Sequence, residues 1–375
     1  MRLEFGKIGS QKLENNFCTN YIKNQDIDRS KHCQCLDNTN FYPANYNNLT
    51  FTAKSDAKIL LENANNLVCA YSGKKMLSPY EVRGIYSKLR KRQNAASMVL
   101  FLQNYESYMH KTELEVFNLL KGAKDKENKD FKEILSEHVI EAHRNLKGKQ
   151  VAIMESTNDL VNMLSDDTRD EVIAIKDNAI ERINDFGFSR KYTLRELRNL
   201  SAKGNDKKII NEIFKAWHKL PNSKTDSDAF IKKYFFADHF TIAKSLLSSS
   251  VATIEHIKPS SKGGANKLEN YMLVSSKYNA LRDSLPLKMF NEIYPELKIE
   301  NNLQRYMNVL IHSINTKNID FIRYDNYPEL LKESISRVTN GKIELDISKV
   351  NNHNNNSKSP KQKTVKKHKS FNRFK

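Results

Sequence analysis

The sequence predicts a mainly α-helical protein that contains a small α+β part. Through most of the middle of the chain, apolar residues recur every three or four positions, which is the period of a helix with one buried face. Only short stretches have the pattern of strands. With 375 residues, of which 39% are hydrophobic, the chain is long enough for two or three domains with a sizeable core.

Near the N-terminus, local signals predict the first elements. A short helix is expected near residues 56–64, followed by an extended segment at 66–71. A second helix is expected to begin at Pro79, because Ser78 and Glu81 have the spacing of a capping box and Pro is favoured at the first helical position.

Three further helices are predicted in the middle of the chain. Their apolar stripes are Phe131, Leu135, Val139, Ala142 and Leu146, then Val172, Ile175, Ala179, Ile183 and Phe186, and then Ile210, Ile213, Phe214, Trp217 and Leu220. A second extended segment is expected at 250–257, before Pro259. Helical periodicity returns after residue 290 and continues to Gly341.

Positive charge is concentrated in two places. The net charge is +18, and residues 351–375 contribute eight Lys or Arg without an acidic residue. This composition predicts a disordered arm that contacts polyanions or, equally, a tail that only improves solubility. Arg90, Lys91 and Arg92 form a second basic cluster, which either contacts a phosphate backbone or faces solvent.

Several classes of protein are disfavoured. We expect no membrane association, because the chain has no apolar run of about 18 residues. The first residues lack the apolar segment of a signal peptide, and four cysteines do not make a disulfide framework in a chain of this length. We therefore expect a cytoplasmic protein, associated with the nucleoid when it binds DNA.

Residues 254–282 carry the strongest functional signal. The segment reads IEHIKPSSKGGANKLENYMLVSSKYNALR, with a carboxylate beside an imidazole at the end of a strand, a Gly-Gly loop and two asparagines nine residues apart. It resembles the HNH endonucleases with their ββα-metal motif, and it is also similar to the HNH domain of RNA-guided CRISPR effectors. The matching residues are Glu255, His256, Ile257, Pro259, Ser261, Gly263, Gly264, Asn270, Leu273 and Asn279.

The resemblance implies a role for each residue of this motif. His256 is expected to act as the general base on water, a task suited to an imidazole of near-neutral pKa. Glu255 and Asn279 would provide oxygen ligands for Mg²⁺, with Mn²⁺ as a possible substitute. Asn270 would hold the loop that orients the histidine. The expected nucleic-acid contacts are Arg282, Lys277 and Lys258, with Arg90, Lys91 and Arg92.

Two positions depart from the usual HNH pattern. Asp is more common than Glu255 before the histidine, and many HNH domains hold a structural zinc with two C-x-x-C pairs. The corresponding positions are Cys69–Ser72 and Ser275–Tyr278, which retain one thiol of four. No structural zinc is therefore expected. Cys18, His32, Cys33 and Cys35 could form another zinc site, although free thiols are the simpler interpretation.

The same alignment predicts that the HNH core is split. Residues 67–76 would form the first strand of its hairpin and pair antiparallel with the strand at 251–257. The expected organisation is an N-terminal segment (1–66), the HNH core (67–76 plus 251–290), a helical insertion (77–250), a C-terminal helical region (291–350) and a basic tail (351–375).

The leading hypothesis is a metal-dependent endonuclease that acts on nucleic acid, DNA more than RNA, as part of a phage or phage-defence system. Two alternatives remain open. One is a nucleic-acid-binding protein with a degenerate HNH core. The other is the nuclease subunit of a larger complex, in which the helical insertion binds a protein partner.

Overall fold

The computed structural model describes residues 51–122, 129–184, 187–316 and 326–348, with the backbone alone for 51–56. The predictions for the basic tail and for the cysteine and histidine residues between 18 and 35 lie outside these residues. So does most of the predicted N-terminal segment.

Helices account for most of the described residues, so the predicted mainly α-helical fold is confirmed. The helices are α1 (Phe51–Glu62), α2 (Pro79–Arg90), α3 (Ala95–Gln103), α4 (Lys111–Lys121), α5 (Phe131–Glu155), α6 (Asn158–Asn162), α7 (Asp166–Asn184), α8 (Arg190–Asn199), α9 (Gly204–His218), α10 (Ser227–Tyr234), α11 (His239–Ser248), α12 (Ser276–Arg282), α13 (Leu287–Ile293), α14 (Ile299–Asn315) and α15 (Tyr327–Thr339). Within the described ranges, none of these helices combines the length and apolar character needed to cross a bilayer.

Local sequence explains where several helices begin. Ser78 is the N-cap of α2 and its hydroxyl accepts a hydrogen bond from the backbone N–H of Tyr80, so the predicted start at Pro79 is confirmed. In the same way, Asp238 caps α11 by accepting the backbone N–H of Thr241 at 2.8 Å. These caps satisfy backbone donors that have no partner inside the helix.

The sheet of the described region has two antiparallel strands, β1 (Ala252–His256) and β2 (Tyr271–Ser275). Glu255 pairs with Met272 and His256 with Tyr271. Every residue of both strands is buried, and α12 begins directly after β2 and packs on both. The chain therefore forms a β-β-α unit between residues 252 and 282.

The predicted antiparallel pairing of 67–76 with 251–257 is wrong, because β1 pairs with β2 instead. Residues 67–76 fold back on themselves in a tight turn, in which the Cys69 N–H bonds to the Lys74 carbonyl at 2.8 Å. This turn reaches the hairpin through β2, since the Ala70 N–H donates to the Leu273 carbonyl at 3.0 Å. Leu77, which follows the turn, forms a single parallel β-bridge with Val251, the residue before β1.

Two clusters of buried apolar residues hold the described part of the chain together. The first draws on residues 57–76, 154–220 and 252–345, and it contains the β-β-α unit. The second draws on residues 77–142 and 230–247. Residues of the predicted insertion 77–250 are thus divided between both clusters, and those from 154 to 220 pack around the hairpin.

Candidate active site

His256 is the last residue of β1 and faces the loop that joins the two strands. Its Nε2 lies 2.8 Å from Oδ1 of Asn266, and the edge of its ring meets the ring of Tyr271 at a centroid distance of 5.0 Å. Because an amide oxygen only accepts, this contact requires the proton on Nε2 and leaves Nδ1 as the basic nitrogen. Burial lowers the pKa of His256, so the imidazole is neutral near pH 7.

Asn270 closes the loop that follows His256. Its Oδ1 accepts the backbone N–H of Lys258 at 2.8 Å, and its Nδ2 donates to the carbonyls of Lys258 at 3.0 Å and Ala265 at 2.9 Å. The loop passes so close to itself that a Cβ atom on Gly264 would lie 1.8 Å from the Lys258 carbonyl oxygen. Only glycine fits there, and the loop position next to His256 is fixed.

Arg282, at the end of α12, lies fully buried under the hairpin. It donates five hydrogen bonds, which go to Leu285 O at 2.9 Å, to Tyr71 Oη, His256 O and Ile257 O at 2.7 Å each, and to Glu255 Oε1. The sequence prediction that Arg282 contacts a phosphate needs correction, because every one of these acceptors belongs to the protein. Arg282 instead fixes the backbone at the end of β1.

Glu255 faces the opposite side of β1 from His256, as successive residues of a strand do. Its carboxylate is bound by Arg282, and only 4% of the residue is exposed. Burial raises the pKa of Glu255 to about 7, while the Arg282 guanidinium acts in the opposite direction. A carboxylate held in this way is not presented to a cation, so the predicted role of Glu255 as a metal ligand is not supported in this arrangement.

Asn279, on α12, joins that helix to β1. Its Nδ2 donates to Thr253 Oγ1 at 3.0 Å and to the Ile254 carbonyl at 3.3 Å. Its Oδ1 makes no hydrogen bond to a described residue. Nor does the described region hold a group of three or more His, Cys, Asp or Glu side chains arranged for a metal ion. Because Arg282 binds the Glu255 carboxylate, the predicted pair of ligands, Glu255 and Asn279, does not fit Mg²⁺ as the residues stand.

Lys277 needs the same correction as Arg282. Its ammonium is buried against α4, 3.2 Å from Glu113 Oε2 and 3.1 Å from Thr112 Oγ1, and it is not available to nucleic acid. Lys258 is exposed on the loop after His256.

Arg90, Lys91 and Arg92 are exposed at the end of α2. Arg90 stacks on Phe240 and Arg92 on Phe101, at 4.9 and 5.2 Å from the ring centroids. The predicted contacts of this cluster and of Lys258 with nucleic acid stay predictions.

The positions that correspond to zinc ligands in many HNH domains come together in part. Cys69 Sγ accepts the backbone N–H of Ser275 at 3.3 Å and lies 4.0 Å from the Ser275 hydroxyl. Both residues are fully buried. A hydrogen bond from β2 to a thiol thus joins the 67–76 turn to the hairpin.

Sequence reasoning missed a basic cavity beside α12. It measures about 690 Å³ and is lined by Arg190, Lys191, Arg195 and Arg198 of α8, by His218, and by Ala280 and Asp283 at the end of α12, among others. Lys191, Arg195 and Arg198 are spaced i, i+4, i+7, which places them on one helix face. That spacing was the available signal, but nothing in the sequence alone indicates that α8 packs beside α12.

Comparisons of the chain with models of known protein families, with curated proteins and with solved structures found no match. Function must therefore be inferred from the residues of the site.

Proposed function

We propose that this protein is an endonuclease of the HNH type, which hydrolyses phosphodiester bonds in nucleic acid and acts on DNA in preference to RNA. The observation that carries the proposal is the position of His256. It ends the first strand of a β-β-α unit, next to a loop closed by Asn270 and opposite a helix that carries Asn279.

His256 would act as the general base. A neutral imidazole with a bare Nδ1 can take a proton from water at pH 7, and the lowered pKa of His256 keeps it neutral. Asn266 holds the ring through Nε2, while Arg282 holds the His256 carbonyl at 2.7 Å. The base is therefore fixed from the side chain and from the backbone before substrate arrives, which reduces the cost of orienting it.

Hydrolysis also needs a positively charged group next to the phosphate oxygens, because negative charge develops on them in the transition state. In this family Mg²⁺ provides that charge as a Lewis acid. Here Glu255 does not fit the ion, so we assign no step to the metal. Lys258 is the nearest exposed cation along the chain, and its backbone is anchored on both sides by Asn270.

One observation favours a second candidate function, a nucleic-acid-binding protein whose HNH core no longer cuts. The carboxylate expected to bind metal is neutralised by a buried arginine. If this pair is permanent, the β-β-α unit serves as a structural module and the basic surfaces carry the function.

A nicking assay separates the two candidates. Supercoiled plasmid is incubated with wild-type protein, His256→Ala and the exposed-histidine control His312→Ala, with Mg²⁺, Mn²⁺ or EDTA. We expect nicking by the wild type and by His312→Ala, and none by His256→Ala, with DNA affinity unchanged. Equal nicking by His256→Ala would disprove the assignment of the base. DNA binding by the wild type with no cleavage under any condition would favour the second candidate.

A further inference from the structure

We propose that the cavity between α8 and the end of α12 binds the phosphate backbone of nucleic acid and leads it to the β-β-α unit. This inference deepens the proposed function, since it assigns the substrate-binding surface of the same site. It concerns residues that the sequence motif does not include.

Charge is the first argument. Four cations of α8 line the cavity against one acidic residue, Asp283, which leaves a net charge of three. Lys191, Arg195 and Arg198 are exposed and Arg190 is half-buried. Within the described residues, none of the four forms an ion pair with a carboxylate. Several cations close together without anionic partners create a positive potential, which attracts an anion such as a phosphate group.

The way in which the guanidinium groups are held is the second argument. Arg195 lies over the ring of Tyr192 at 5.1 Å, and Arg198 lies over the ring of Phe214 at 4.6 Å. Aromatic stacking orients a guanidinium plane while its N–H groups stay free for a ligand. These two donors are therefore positioned in advance, which lowers the entropy cost of binding a phosphate.

Arg190 and His218 belong to the less exposed part of the cavity lining. Arg190 donates to the His218 carbonyl at 2.8 Å and is anchored by the backbone. Burial, together with the charges of Arg190 and Arg198, lowers the pKa of His218 to about 3. His218 is therefore neutral near pH 7 and adds no charge of its own to the cavity.

The position of the cavity is the third argument. Ala280 and Asp283 line it, and both flank the face of α12 that carries Asn279 and the buried Arg282. The backbone of Asp283 has φ of 51° and ψ of −124°, a conformation that residues other than glycine rarely adopt. A strand of nucleic acid held by α8 would therefore run alongside the helix of the β-β-α unit.

The test compares two sets of substitutions that remove equal charge. The cavity variant is Lys191→Gln/Arg195→Gln/Arg198→Gln. The control is Lys132→Gln/Arg144→Gln/Lys147→Gln on α5, three exposed cations that belong to none of the predicted contact clusters. Both are made in the His256→Ala full-length chain and assayed in EDTA, so that cleavage cannot affect the result. Fluorescence anisotropy with labelled single-stranded and duplex DNA gives the affinity from 50 to 300 mM salt.

We expect the slope of log affinity against log salt to fall by about 2 to 3 in the cavity variant, which is the loss of three phosphate contacts, and by less than about 1 in the control. Equal losses in the two variants would overturn the proposal, since they would reflect net charge alone. An unchanged slope in the cavity variant would overturn it as well. Competition by low millimolar inorganic phosphate equal to that by DNA would indicate a small-anion site and would also overturn it.

The conservative variant Arg195→Lys/Arg198→Lys supplies a second measurement that does not depend on charge. It keeps the net charge but loses the planar forks, so we expect a loss of affinity of about 3- to 10-fold at one salt concentration. Wild-type affinity in this variant would refute the argument from stacking. A cavity that binds DNA in a protein that never nicks plasmid would leave this inference standing and reject the proposed catalysis alone.

Discussion

Arg282→Lys tests whether the buried guanidinium holds the site by its shape or only by its charge. Arg282 donates to five protein acceptors, among them the carbonyls of His256 and Ile257. A lysine ammonium has three donors at a single point, so at least two buried acceptors lose their partner. Each unsatisfied buried acceptor costs about 1–3 kcal/mol, which gives an expected loss of about 2–6 kcal/mol in the free energy of unfolding.

Urea unfolding monitored by circular dichroism measures this loss. The matched control is Arg337→Lys on α15, where the arginine pairs with Glu333 on the surface and 71% of its side chain is exposed. That control should change the free energy of unfolding by less than about 0.5 kcal/mol. A loss below about 1 kcal/mol in Arg282→Lys would refute the reasoning, because charge alone would then be sufficient.

Two further predictions concern pH and the loop after His256. His218 has a pKa of about 3 when folded and an ordinary value of 6.5 when unfolded, so its contribution to stability is complete above pH 6.5 and is lost as pH falls from 6.5 towards 3. Urea unfolding of the wild type and of His218→Gln at pH 7, 6 and 5 tests this. Below pH 6, the free energy of unfolding should depend on pH less steeply in His218→Gln than in the wild type, by about 1.4 kcal/mol per pH unit. Identical slopes in the two proteins would contradict the burial of a neutral histidine. Gly264→Ala should shift the loop, cost on the order of 2 kcal/mol and abolish nicking, because its Cβ would lie 1.8 Å from a backbone oxygen. Gly148→Ala, in open space on α5, should instead stabilise by about 0.5–1 kcal/mol, and a similar effect of both substitutions would exclude the clash.

Signals that lie within a few residues of each other were read correctly from the sequence. The start of α2 at Pro79 follows from Ser78, and the strand at 252–256 follows from the extended pattern before Pro259. β2 was not predicted, because Tyr271–Ser275 is buried on both faces and lacks the alternation that marks a half-buried strand. The wrong pairing of 67–76 with β1 follows from the HNH alignment, and the weak signal of β2 leaves no competing partner for β1 in the sequence.

The roles of the basic residues could not be predicted for a different reason. The sequence predicts a phosphate contact for Arg282 because it follows Asn279 by three positions on a helix, and Lys277 lies on the same helix. Their partners, Glu113 and Tyr71, lie 164 and 211 residues away in the chain. A buried cation needs a partner close in space, and a single sequence does not show which distant residue supplies it.

The bond between Tyr71 and Arg282 also has a consequence for synthesis. The two residues are separated by 211 positions, and translation at about 5–20 residues per second would take roughly 10 to 40 s to bridge them. During that interval the apolar residues around Tyr71 remain uncovered, because β1, β2 and α12 are synthesised after them. A nascent or prematurely terminated chain that stops before residue 282 therefore cannot assemble this site, and any activity there begins only after about three quarters of the 375 residues have been synthesised.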